Sequence, residues 1–147
     1  MKKLLLIFLI LFICLSSVLY LKYGSANAKL SENVSSMKQV GDFILHMRVD
    51  EKDKGIEVMR SIQYVGEEPV KIVHQSPLVS ISIGNNKHDF TGSTVMKVLR
   101  KGDIYHPQST VSFSISEKGE CKLYVHARLD VNGERLSIEH EENLLFE

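Results

Sequence analysis

From Gln39 onward the chain alternates apolar and polar residues with a period of two, a pattern that only extended strands can turn into one dry face and one wet face. The clearest run is Cys121 to Val131. Cys121, Leu123, Val125, Ala127, Leu129 and Val131 fall on one side, and Lys122, Tyr124, His126, Arg128 and Asp130 on the other. Phe43, Leu45, Met47 and Val49 alternate with His46, Arg48 and Asp50 in the same way, and the Ile56–Val65, Val70–His74 and Val79–Ile83 runs extend the pattern. Val111, Phe113 and Ile115 then alternate with serines. Such runs predict antiparallel sheets, each with one face in a core and one in water.

Turn residues punctuate the strands. Glu51–Gly55 and Gly66–Pro69 are turns by composition, and Asn132-Gly133 is the pair that suits a two-residue type I′ hairpin, joining 121–131 to Arg135–His140. Gly84-Asn85-Asn86-Lys87 predicts a hairpin that returns through His88-Asp89-Phe90. Pro77 has no N–H to give a ladder and marks a bulge or a change of sheet. Residues 92–108 stay open, because Val95, Met96, Val98 and Leu99 suit a short strand or a single helical turn. About seven or eight short strands at roughly 8–12-residue spacing predict an all-β domain over residues 39–147, a single immunoglobulin-like β-sandwich.

An N-terminal hydrophobic helix is expected ahead of it. Met1-Lys2-Lys3 precedes an uncharged apolar run from Leu4 to Leu21, the n-region and core of an export signal. Ala26-Asn27-Ala28 is a small-x-small cleavage sequence, with the cut between Ala28 and Lys29. The run is also long: at 1.5 Å per residue its helix reaches about 27 Å, close to the roughly 30 Å of a bilayer core. Tyr20, Lys22 and Tyr23 suit the far interface. Residues 1–28 are therefore a signal peptide or an N-terminal membrane anchor. Both place the rest outside the cytoplasm, secreted or held on the outer face of the membrane. Cys14 follows Ile13 and lies inside the run, which excludes a lipobox. Residues 29–38 are polar and without period, the composition of a flexible linker.

Three of the 18 basic residues and none of the 18 acidic ones lie in residues 1–28, so the exported part carries a formal charge of −3. The two signs are interspersed, which argues against nucleic acid as a partner. Cys121 is the only exported cysteine, so no intramolecular disulfide forms and packing must hold the domain together.

Gln63-Tyr64-Val65-Gly66-Glu67-Glu68-Pro69-Val70-Lys71-Ile72 resembles the strand–polar turn–strand of small bacterial immunoglobulin-like domains. Lys101-Gly102-Asp103, Lys118-Gly119-Glu120 and Leu123-Tyr124-Val125-His126-Ala127 resemble their second half. Over about residues 56–131 the chain also resembles the intracellular proteinase inhibitor family of bacilli. The likeness implies a sandwich and, as one alternative, proteinase inhibition; it carries over no functional residue. The chain departs from the immunoglobulin pattern in having no Trp, and in holding Cys121 where the corner Tyr is expected.

Chemistry is sparse. Six histidines, His46, His74, His88, His106, His126 and His140, form no His-x-His pair, HExxH helix or Cys/His cluster. His126 and His140 flank the Asn132-Gly133 turn and approach if the hairpin pairs near register, and His88-Asp89 adjoins a polar loop. His88, His126 and His140 are therefore the candidates for a metal-binding or enzymatic site. Cys121 begins the apolar stripe of its strand, the setting of a buried, inert thiol. The serines lie in no GxSxG context and no glycine loop cradles phosphate. No cofactor is implied. The polar stretch Gly84–Thr94 has the composition of a recognition loop, with Asn85, Asn86, His88, Asp89 and Phe90 as its contact residues. The sequence thus points to a non-enzymatic binding module whose partner is a protein or a component of the cell envelope.

Overall fold

The computed structural model describes Ser16 and residues 28–147. The expected hydrophobic helix, and with it the choice between a cleaved peptide and an anchor, lies outside the described residues apart from Ser16. The strands are β1 (Val34–Val40), β2 (Phe43–Lys52), β3 (Gly55–Tyr64), β4 (Val70–Gln75), β5 (Val79–Ile83), β6 (Thr94–Leu99), β7 (Ile104–Tyr105), β8 (Val111–Ser114), β9 (Gly119–Val131) and β10 (Glu134–Phe146).

They form two antiparallel sheets that enclose one core, the arrangement of a β-sandwich. In the first sheet β1, β2 and β3 lie side by side, and β7 and β8 share the far edge of β3. The second has the order β10-β9-β4-β6, with β5 also on β9. Alternation decides which residues face inward. Phe43, Leu45, Met47 and Val49 of β2 are buried, as are Ile56, Val58, Ile62 and Tyr64 of β3 and Leu123, Val125, Ala127 and Leu129 of β9. Each fully buried Leu, Ile or Val contributes about 1.5–3 kcal/mol relative to exposure.

The turns behave as their residues dictate. Asn132 and Gly133 take φ of 52° and 88°, the two positive values a type I′ turn needs. The β9–β10 ladder then runs from Val131↔Glu134 to Gly119↔Phe146, six residues beyond the expected end at His140. At Pro77 the expected bulge is present: β4 leaves β9 at Val73↔Asp130, β5 rejoins it at Val79↔Ala127, and residues 74–78 stand opposite Arg128 and Leu129.

Two expectations are corrected and one open stretch takes a definite form. The Gly84–Lys87 turn makes no hairpin: His88–Phe90 are not a strand and β5 pairs with β9, because Phe90 buries its ring on the outer face of β9 and draws the loop over it. Residues 94–99, open between strand and helical turn, form β6 along the free edge of β4. The supposed linker 29–38 is part of the sandwich. Lys29 and Glu147 exchange backbone hydrogen bonds of 2.9 and 2.8 Å, Ala28 and Leu30 are buried, and β1 pairs with β2 along its whole length.

This segment lacked period because β1 is an edge strand. The positions opposite buried Val49, Met47, Leu45 and Phe43 hold Val34, Ser36, Lys38 and Val40. An inward lysine discourages edge-to-edge pairing with another chain. Lys97 on β6, opposite buried Ile72, does the same at another edge, and its ammonium lies 5.7 Å from the centre of the Tyr105 ring.

Candidate functional site

The outer face of β1–β3 carries an open groove of about 600 Å³. Register builds it in two rows, Ser35–Arg48–Met59 and Met37–His46–Ser61, on the side of the sheet away from the core. His106, Gln108 and Thr110, in the connection between β7 and β8, form one wall. Met37 is 70% exposed although it is large and apolar.

The wall is fixed from below. Arg60 points inward from β3, opposite buried Met47, and its Nη1 donates to the Ser109 carbonyl at 2.6 Å. Its Nε is buried and has no protein partner, and burial lowers the guanidinium pKa. Val79 N–H donates to Gln108 Oε1 (3.3 Å), and the Tyr105 hydroxyl lies 3.1 Å from His74 Nε2, so the connection is tied to both sheets. On the groove floor His46 Nε2 is 2.8 Å from Gln63 Oε1, and Arg48 Nε donates to Asp50 Oδ1 at 2.9 Å.

The second concentration of polar chemistry is the outer face of β9 and β10 under the 84–93 loop. The His88 and His126 rings meet edge to face with centres 5.3 Å apart. Phe90 packs on His126 at 5.0 Å, and the Arg128 guanidinium lies 4.2 Å from the Phe90 ring centre. His126 Nε2 is 2.6 Å from Ser137 Oγ and 3.9 Å from Glu139 Oε1. Phe90 is thus a pin that holds the loop down, not an exposed recognition aromatic; Asn85, Asn86 and Asp89 remain exposed.

The three candidate metal ligands are not brought together. Register places His126 opposite Glu139 and His140 opposite Val125, on opposite faces of the sheet. His140 faces the core side and bonds Glu142 Oε2 at 3.0 Å. Among the described residues no group of three or more His, Cys, Asp or Glu side chains is placed to hold a metal ion. Cys121 is half-buried, packed against the core on its strand's apolar side. Ala28 and Lys29, the residues flanking the cleavage sequence, are woven into the fold by burial and by the Glu147 bonds.

Burial lowers the pKa of His88, and the neighbouring His126 lowers it further, against a smaller upward pull from Glu139. Burial also lowers that of His126, with Glu139 raising it and Arg128 lowering it. Around pH 6 the unfolded chain then binds more protons than the folded one, so stability falls as pH drops below the ordinary value of 6.5 and levels off below the folded values. Denaturant midpoints measured from pH 7.5 to 5 are expected to show this slope, and His88→Gln with His126→Gln should flatten it. An unchanged slope in the double variant would place the titrating groups elsewhere.

The groove was not singled out by sequence because neither row has a motif. Its one signal is Met59, an apolar residue at an outer position of β3 between Glu57 and Ser61. Neither a scan against protein-family models nor a search of curated proteins finds a match.

Proposed function

We propose that the chain is an exported β-sandwich of immunoglobulin-like type that acts as a non-enzymatic binding module, engaging a partner protein of the cell envelope through the outer face of β1–β3. The groove on that face carries the reading. Its floor is rigid three-stranded sheet, its wall is tied to both sheets, and it exposes Met37 to solvent. Methionine is flexible and polarisable, and is favoured on surfaces that must adapt to a partner. The apolar run at residues 4–21 supports location outside the cytoplasm, secreted or anchored. With Lys29 already in the fold, a retained anchor would hold the domain within a few residues of the membrane surface.

The test is a paired substitution, Met37→Asp with Met59→Asp, in cells of the organism that makes the protein. Covalent crosslinking of whole cells should trap one discrete complex of the natural chain and none of the variant, with the two unfolding at the same temperature within a few degrees. A complex that persists in the variant, or a natural chain that forms none, would refute the assignment.

A further inference from the structure

Resting on that reading of the groove, we propose that its occupant is an extended acidic segment of the partner protein, with a carboxylate flanked by apolar side chains. The lining contains Arg48, Arg60, His46 and His106, and no Asp or Glu. In an exported domain of net charge −3, with 18 acidic residues, the lining gathers N–H donors without a carboxylate of its own; Arg60 is turned inward to Ser109, and the neighbouring Asp50 occupies only the Nε side of Arg48. Such a surface attracts negative charge.

Arg48 is the anchor. Its side chain is 60% exposed, and it meets Asp50 through Nε, so its two terminal nitrogens can face a ligand as a fork. A carboxylate fits that fork in a bidentate, charge-assisted pair, which is stronger and more directional than the contact a lysine makes. Ser35 and Thr110 add hydroxyl donors at either side of the groove. Across β1, β2 and β3 the floor spans about 10 Å, room for one extended chain.

The methionines choose between a peptide and a polyanion. Met59 lies beside Arg48 in one row and Met37 beside His46 in the next, and a phosphate polymer would leave both in water. A peptide with apolar residues beside its carboxylate covers them, and burial of that surface adds to the ion pair.

The probe is a fluorescein-labelled extended peptide with one glutamate and leucines two residues to either side of it, so that all three share a face, titrated by anisotropy against the full chain in detergent micelles. Its isostere with glutamine in place of the glutamate is run in parallel. The acidic peptide is expected to bind at least about tenfold tighter than the isostere. Arg48→Gln should weaken it about five- to tenfold, Arg48→Lys should restore part of the loss, and Arg135→Gln on the other sheet should leave it unchanged. Raising salt from about 50 to 500 mM should weaken it as well. Equal affinity for the two peptides, no binding of the acidic one at millimolar concentration, or indifference to Arg48→Gln would overturn the inference. Tighter binding of inorganic polyphosphate than of the peptide would overturn it too and assign the groove to a polyanion. Each of these results leaves the groove standing as a contact surface if the Met37 and Met59 substitutions still abolish the cellular complex; failure of both tests removes both.

Discussion

Gly55→Ala is expected to destabilise the domain by roughly 3–5 kcal/mol, an effect that ordinary glycine replacements do not approach. Gly55 has φ of 147°, outside the range an L side chain readily adopts. A Cβ placed there would lie 1.9 Å from the Phe113 carbonyl oxygen and 2.9 Å from the Ile115 amide nitrogen. Both are backbone atoms and cannot swing aside, so β8 must leave the edge of β3, where Gly55 pairs with Ser114. Gly41 provides the control. Its φ is 57° but a Cβ would meet nothing within 4 Å, and Gly41→Ala should cost only about 1–2 kcal/mol. Guanidinium unfolding of the three proteins reads the difference directly. A Gly55→Ala variant within about 1 kcal/mol of the natural chain would mean that β8 does not pack there.

Phe146→Ala is expected to cost about 3–5 kcal/mol, although the residue is next to last in the chain. Its side chain is 2% exposed, and Leu30, 5% exposed, bridges to it across the domain's two ends. Leu30→Ala should cost about 2–4 kcal/mol, and the two substitutions together should cost less than their sum, since each exposes what the other covers. The same clasp places residues 28–31 inside the folding unit. A loss below about 1 kcal/mol for Phe146→Ala would show that the clasp does not form in solution.

What the sequence disclosed and what it concealed follow from one distinction. Central strands reported themselves. In β2 and β9 both neighbours are other strands, so the inner positions are uniformly apolar, from Phe43 to Val49 and from Cys121 to Val131, and alternation revealed both. The Asn132-Gly133 turn and the Pro77 bulge were equally legible, because each has a backbone requirement that few residues meet. Edge strands were silent: β1 puts Ser36 and Lys38 at inward positions, and β6 puts Lys97 there, so neither reads as half-buried. Arg60 breaks the rule inside a central strand, standing in line with Ile56, Val58 and Ile62 while its guanidinium leaves sideways to hold Ser109.

The candidate sites divide in the same way. His88 and His126 were flagged and do meet, but through a loop that folds across the face of β9; no periodicity encodes such a fold. His140 was lost to a one-residue matter of register: pairing of His126 with Glu139 turns His140 to the other face. The groove needed the lateral pairing of three strands, because Ser35, Arg48 and Met59 are scattered in sequence and adjacent only in the sheet.

The proposed function puts the partner on the β1–β3 face and not on the polar loop that sequence composition favours. A photoactivatable residue placed at Met37 in one strain and at Asn86 in another separates the two in living cells, since both positions are exposed, Met37 on β1 and Asn86 in the loop after β5 on the other sheet. Irradiation is expected to yield a single discrete adduct from position 37 and none from position 86. An adduct from position 86 with none from position 37 would put the partner on the loop instead.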